Sequence, residues 1–418
     1  MAKAARIDAE RLLRRLQELG QIGGFGTGGC ARLALTNADR DGRDLVVLWM
    51  RDLGLDITID AVGNVIGVWR GTSSALAPVM CGSHIDTVAT GGIYDGNLGV
   101  LAGLEIIETL QALGVVLPRG IAVGFFTNEE GARFAPDMLG SLAYVGALAV
   151  EDARDIVAID GARFGDELER IGYLGASPCP GFIPHAFVEL HIEQGPVLEA
   201  EGINVGIVTG VQGISWQRLQ ITGESRHAGT TPIALRHDAG YVACEIGAYA
   251  RRLALDVGAP QVATVGRIEL HPNLVNVVAA SATLTVDLRH TDELALQQAE
   301  ATFASFVGDI AAAEGVSVAS TILARFEPVT FNPAIVDLIE AVAVSQGFST
   351  LRLPSGAGHD AQMFARICPT GMIFTPSARG ISHNPDEHTD LVDLAAGANV
   401  LLETLVLLAL SPDDWSAQ

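Results

Sequence analysis

Gly82-Ser83-His84-Ile85-Asp86-Thr87, then Gly92-Ile93-Tyr94-Asp95-Gly96-Asn97, then Thr127-Asn128-Glu129-Glu130: these three stretches decide how the chain is read. Hydrophobic residues lead into each, so a His, two Asp and two Glu are delivered where buried strands end. Such a set suits a pair of divalent cations with a carboxylate base beside them. Two further histidines extend it, His191 in Leu190-His191-Ile192-Glu193-Gln194-Gly195 and His383 in Ile381-Ser382-His383-Asn384-Pro385-Asp386-Glu387.

Around these motifs the pattern alternates. Ala61 to Val68 and Pro78 to Cys81 read as short strands, Val100 to Leu113 as a helix, and Ile121 to Thr127 and Phe187 to His191 as strands. The turn Asp95 to Gly99 opens the helix, with Asn97 expected as its cap. A β-α-β order implies an α/β domain with a mainly parallel sheet covered by helices on both faces. Ligands in such folds collect at the carboxyl ends of strands, where these motifs fall.

The character changes after Gly210-Val211-Gln212-Gly213. Strands Ser215 to Thr222, Ala263 to Leu270 and Ala282 to Leu288 alternate with helices Ala239 to Leu255 and Glu293 to Glu314, an α+β pattern with an antiparallel sheet plus helices. The expected organisation is one domain from 1–212 and 330–418 and an inserted domain from 213–329, hinged near Gly213 and Pro328.

A length of 418 residues fits two domains, and 49% hydrophobic against 18% charged residues can fill large cores. With 26 basic and 49 acidic residues the formal charge is −23, which argues against nucleic acid or an anionic membrane as partner. Cys30, Cys81, Cys179, Cys244 and Cys368 are scattered and lack a Cys-x-x-Cys, as expected of a reducing cytoplasm. Near the N-terminus, Ile7, Leu12, Leu13, Leu16 and Leu19 form an amphipathic stripe rather than the apolar core of a signal peptide. Leu391 to Leu410 is apolar enough to raise the membrane question. Asp393 and Glu403 interrupt it, and a buried terminal helix is expected.

Taken together, Gly82 to Thr87, His191 to Gly195, Arg226-His227-Ala228-Gly229-Thr230-Thr231-Pro232 and Ser355-Gly356-Ala357-Gly358-His359-Asp360-Ala361 resemble the dinuclear metal amidohydrolase/peptidase superfamily of aminoacylases and carboxypeptidases. The nearest likeness is to its ureido-hydrolysing branch: N-carbamoyl-L-amino-acid hydrolases, allantoate amidohydrolases and β-ureidopropionases. It covers nearly the whole chain. The resemblance implies a dinuclear-metal hydrolase domain in which Asp95 bridges two divalent ions, one also held by His84 and His191, the other by Glu130 and His383. These ligand types suit zinc, manganese, cobalt or nickel alike.

The same resemblance makes Glu129 the general base, taking a proton from the attacking water and passing it to the leaving nitrogen. Adjacent residues on an extended backbone point oppositely, so one Glu can bind metal while the other faces substrate; the residues alone leave open which. Asp86 is implied to hold the His84 ring in its ligating tautomer. His227 is implied to cross the interface of a homodimer and polarise the scissile carbonyl.

Gln194, Asn276, Arg289 and backbone near Gly358 are implied to hold the carboxylate and carbamoyl ends of a small ureido substrate; Arg289 can grip a carboxylate with two parallel bonds. As plainer readings, His227 caps its own loop, Asn276 is a turn residue and Arg289 forms an ion pair at a strand end. His185, His237, His271, His290 and His388 need no function, and His359-Asp360 is expected to support the substrate loop. Ile233 and Ala279-Ala280 depart from the branch's pattern near the expected substrate pocket. The implied reaction is cleavage of the carbamoyl C–N bond of an N-carbamoyl-L-amino acid, with allantoate amidohydrolase or β-ureidopropionase as the rival readings. A dipeptidase, an aminoacylase or an inactive scaffold is more distant.

Overall fold

The computed structural model describes residues 5–412, so residues 1–4 and 413–418 of the first expected domain lie outside the described residues. The chain divides into two compact units, residues 1–210 with 330–418, and residues 211–329.

The first unit is built on a mixed sheet whose centre is parallel. Thr370–Thr375, Phe187–Ile192, Val79–His84 and Ile121–Phe126 lie side by side in that order, each parallel to its neighbour. All four are buried along their length, as continuous apolar runs in a parallel sheet must be. The flanks turn antiparallel, with Val65–Trp69 against Ile121–Phe126, Asp56–Ile59 against Val65–Trp69, and Val205–Val211 against Thr370–Thr375.

Strand alternation assigns the helices to the two faces. Leu190 meets the long helix Leu391–Leu410 at Gly397, whereas Phe187, of opposite parity, stacks on Phe364 of the short helix Asp360–Phe364 at 4.1 Å between ring centroids. Leu391–Leu410 is long and apolar enough to cross a membrane, but Leu394, Leu401, Leu405 and Leu408 are buried in this unit's core.

Two local expectations are corrected. The strand expected over Ala61 to Val68 begins only at Val65, because the Asp60 carboxylate accepts from the Val62 and Asn64 amides and closes a turn there. Asn97 does not cap its helix: Gly96 occupies the cap position at φ +66°, and Asn97 is the first helical residue, its side chain engaged elsewhere.

The second unit is a four-stranded antiparallel sheet in the order Val262–His271, Ser281–His290, Gly213–Thr222, Ser317–Phe326. Ala282, Leu284, Val286 and Leu288 alternate inward on the central strand and pack with Ile246 and Phe303 of the helices Ala239–Val257 and Glu293–Glu314.

Candidate metal centre

Strand ends deliver the donors. His84 closes Val79–His84, His191 lies one residue from the end of Phe187–Ile192, and Glu129-Glu130 follow Ile121–Phe126. Asp95 sits in the loop before the helix Asn97–Ala112, where glycine at position 96 is obligatory: a Cβ there would lie 2.4 Å from the His84 ring. His383 enters from a loop residue at φ +54°.

These donors form two groups that share one carboxylate. His84, Asp95 and His191 present ligand atoms within 4.8 Å of one another, and so do Asp95, Glu130 and His383. Asp95 Oδ1 lies 3.1 Å from His191 Nε2 and 3.7 Å from His84 Nε2, while Oδ2 lies 3.4 Å from His383 Nε2. The Glu130 carboxylate is 3.1 Å from His383 Nε2. Glu129 belongs to neither group; its Oε2 lies 3.3 Å from His84 Nε2.

The ring tautomers explain why this arrangement asks for cations. His84 Nδ1 donates to the Asp86 carbonyl and His191 Nδ1 to the Ile192 carbonyl, both at 2.9 Å. In a neutral ring that leaves a lone pair on each Nε2 beside carboxylate oxygen, with the Gly96 amide also donating to His191 Nε2 at 3.2 Å. Lone pair facing lone pair is repulsive unless a positive charge lies between them, and Asp95 Oδ1 is buried with no hydrogen-bond donor. The residues therefore fit a metal at each group.

Electrostatics agree. Asp86, Asp95, Glu129, Glu189, Asp360 and Glu387 are all buried carboxylates. Burial, with the charges of Asp360, Glu130 and Asp86, holds the Glu129 carboxyl well above the usual range. Burial pushes Asp86 up to about 6. Burial would lower His84, but the charge of Glu129 and the nearby Asp95 and Asp86 carboxylates raise it well above the ordinary imidazole value. The hydrogen bond to Glu130 takes His383 up to about 9.

Asp86 is in place with a division of labour unlike the expected one. Its carbonyl, not its carboxylate, orients the His84 ring, and its carboxylate accepts from the Glu129 and Glu130 amides at 3.3 and 3.4 Å. Gln194 reaches the centre, donating from Nε2 to Asp95 Oδ2 at 2.8 Å, with its Oε1 buried and without a donor. Gly358 leads into the helix Asp360–Phe364, and a Cβ on it would meet Met138 Cε at 2.9 Å.

Sequence reasoning quoted Glu387 without giving it a role. The Glu387 carboxylate accepts from the Tyr94 and Asp95 amides, and the single Ser382 hydroxyl proton lies within reach of both Asp95 Oδ2 at 2.9 Å and Glu387 at 3.1 Å. Only its place four residues after His383 hinted at this. His359 packs edge-on against His191 and shares a hydrogen bond of 2.8 Å with Ser355 Oγ. Glu189, His191 and His359 form a third close group, but Ser83 Oγ and the Ala361 amide already occupy the Glu189 oxygens.

The remaining expected residues lie in the second unit. Arg226–His227 pairs with Val277–Val278, and the Ala228 amide donates to the Asn276 carbonyl at 3.0 Å, which brings His227 and Asn276 together. His227 Nδ1 accepts from the Gly229 and Thr230 amides at 3.1 and 3.2 Å, so in the neutral ring the proton sits on Nε2. Arg289 stands near the far end of Ser281–His290, donates to Asp287 at 2.8 to 3.1 Å and lies over the Trp216 ring.

Residues 80–406 match the family model described as peptidase family M20/M25/M40. An N-carbamoyl-L-amino-acid amidohydrolase of Rhizobium meliloti is 39% identical over 96% of each chain. The allantoate amidohydrolase of Escherichia coli is 36% identical over 94% of this chain and 96% of its own. The crystal structure of a hydantoinase/carbamoylase family amidase from Burkholderia multivorans superposes with a TM-score of 0.96 at 42% identity, over 98% of this chain and all of that one. Two ligand groups sharing a carboxylate at the ends of parallel strands, matched over most of the chain's length, place this protein in peptidase family M20/M25/M40.

Proposed function

We propose that the protein hydrolyses the carbamoyl C–N bond of N-carbamoyl-L-amino acids, yielding the free amino acid, carbon dioxide and ammonia. The observation that carries this reading is Asp95, whose two carboxylate oxygens face different ligand groups while Glu129 stands beside them outside both. His84, Asp95, His191, Glu130 and His383 would hold two divalent ions, zinc or manganese with cobalt or nickel as alternatives, which would supply Lewis acidity at the site.

The chain's own residues account for the rest. Glu129 takes the proton of the attacking water and returns it to the leaving nitrogen. The unpaired Gln194 Oε1 accepts from a ureido N–H, and the backbone near Gly358 borders the same substrate. Arg289 grips the α-carboxylate, and His227 Nε2–H stabilises the oxyanion.

Strand geometry supports a homodimer with the residues 211–329 unit as its lid and dimerisation domain. Arg289 and Ser281 are eight residues apart on one strand, about 26 Å, and His227 and Asn276 lie beyond the Ser281 end. No single ureido substrate spans that distance. Arg289 therefore serves one site together with the partner subunit's His227 and the partner subunit's Asn276. The reading is completed by a cytoplasmic location, in keeping with the free cysteines, and by small-molecule substrates rather than nucleic acid or membrane, in keeping with the acidic balance.

Ammonia release from N-carbamoyl-L-amino acids, N-carbamoyl-β-alanine, allantoate and an N-acetyl amino acid, with a chelator-stripped control, tests the proposal. Metal-dependent turnover confined to the α-carbamoyl compounds is expected. The likeness to an allantoate amidohydrolase favours allantoate as the second reading, and preference for it would move the substrate assignment while leaving the site intact. Silence across the panel would sink both.

A further inference from the structure

Arg32 is among the largest side chains that are completely buried, and among the described residues no carboxylate lies within ion-pair distance of its guanidinium. Its Nε donates to the Ile85 carbonyl at 2.7 Å, Nη1 to the Leu19 and Ile22 carbonyls at 2.8 Å each, and Nη2 to Asn97 Oδ1 at 2.9 Å. Its backbone is tied to Thr87 in both directions, the Arg32 amide to Thr87 Oγ1 at 2.8 Å and the Thr87 amide to the Arg32 carbonyl at 3.0 Å. Cβ of an alanine at Gly42 would meet the Arg32 stem at 2.8 Å, so the helix Asn37–Asp52 closes over it.

Removing an unpaired guanidinium from water costs several kcal/mol, so the arrangement persists only where its hydrogen bonds return that cost. Two of them go to the end of the helix Ala9–Gln21, where the Leu19 carbonyl also accepts from the Ile22 amide at 3.1 Å; alone they would make Arg32 an ordinary helix cap. The other two have a different address. Ile85 lies between His84 and Asp86, and Asn97 follows Asp95 and Gly96 at the start of the next helix.

One rigid, planar fork thus joins the segment that carries His84 to the segment that carries Asp95. Lys cannot copy this, because an ammonium has no fixed fork and shorter reach across two divergent acceptors.

We propose that Arg32 is a positioning residue for the metal centre, holding His84 and Asp95 at ligating separation through Ile85 O and Asn97 Oδ1. The inference rests on the metal-binding reading above. It assigns Arg32 no contact with substrate or metal.

Metal dissociation constants, measured by chelator competition with Zn2+ and Mn2+, test this on Arg32→Lys and Asn97→Ala, alongside the unfolding midpoint of each metal-stripped protein. Residues that orient metal ligands cost about 10- to 100-fold in affinity when changed. Arg32→Lys is expected in that range, and Asn97→Ala, which leaves three of the four bonds to oxygen, at the lower end. Turnover is expected to fall through kcat at saturating substrate, with KM little changed. A lowered midpoint with wild-type metal affinity would make Arg32 a helix cap only and overturn the proposal, as would wild-type affinity in both variants. If Arg32→Lys fails to fold, Asn97→Ala decides alone. Absence of metal binding by the wild-type protein would instead overturn the reading of the site itself.

Discussion

Glu129 and Glu130 are neighbours in the chain, yet their carboxylates face different histidines, Glu129 at 3.3 Å from His84 Nε2 and Glu130 at 3.1 Å from His383 Nε2. Asp86 enforces the split, since its carboxylate accepts from both backbone amides and fixes the two peptides. Glu130 shares His383 with Asp95 and closes a ligand group, whereas Glu129 is left with one imidazole neighbour and a proton to manage.

Glu129→Gln is therefore expected to retain both metals and to lose turnover by roughly 100- to 10,000-fold, the usual contribution of a positioned base. Glu130→Gln should weaken metal retention itself. Metal content by elemental analysis beside kcat separates the two; equal turnover in Glu129→Gln would sink the base assignment.

Metal removal should act on stability as well as activity. Several buried carboxylates converge on the centre, and a cation bound only by the folded state stabilises it by about 2.7 kcal/mol at a free concentration 100 times its dissociation constant. A chelator is expected to lower the unfolding midpoint and added Zn2+ or Mn2+ to restore it. An unmoved midpoint would count against the two ligand groups as metal sites.

His227 Nδ1 accepts hydrogen bonds from two backbone amides, which leaves Nε2–H of the neutral ring as the donor. His227→Ala is expected to lower kcat by about 100- to 1,000-fold, as loss of one oxyanion donor does, with metal content unchanged. Mixing inactive His227→Ala with inactive Glu129→Gln protomers should regain activity if the histidine acts on its partner's site. No recovery in verified mixed dimers would overturn the shared site.

How much of this was legible in the sequence follows from the kind of signal each part leaves. His84 and His191 sit where apolar runs stop, and the alternation of those runs dictates a parallel sheet centre, whereas Asp95 lies in the loop that follows the first of them. The antiparallel flanks left no such mark: Val65–Trp69 reads as a strand in either direction. Asn97 read as a cap because its type and place suit one, and only the buried Arg32, 65 positions away in sequence, shows why its side chain turns inward. Glu387 and Arg32 act through backbone groups of distant segments, and a residue that holds a peptide needs no local pattern to do so.

Arg289 pairs with Asp287, so its guanidinium is already fixed in plane by a carboxylate on the same strand. Arg289→Lys is expected to raise KM for a carboxylate-bearing substrate by about tenfold or more through loss of the bidentate grip, with kcat less affected. Competition by a decarboxylated ureido analogue should be insensitive to the change. Unaltered KM would return Arg289 to the plain role of a strand-end ion pair.

Asp360 gives the metal-stripped protein a pH signature. Its carboxyl is pushed up to about 8, first by burial and then by the charge of Glu189, against about 3.9 in an unfolded chain. The folded state therefore holds a proton that the unfolded state has released over that window. Stability from this group is complete below about pH 4 and is lost as pH rises toward 8, at up to roughly 1.4 kcal/mol per pH unit. Asp360→Asn cannot ionise and removes this slope, so its unfolding midpoint should gain on the wild type steadily between pH 5 and pH 8. Thermal melts in chelator across that range read the difference directly; parallel curves for the two proteins would show that Asp360 enters the fold already ionised.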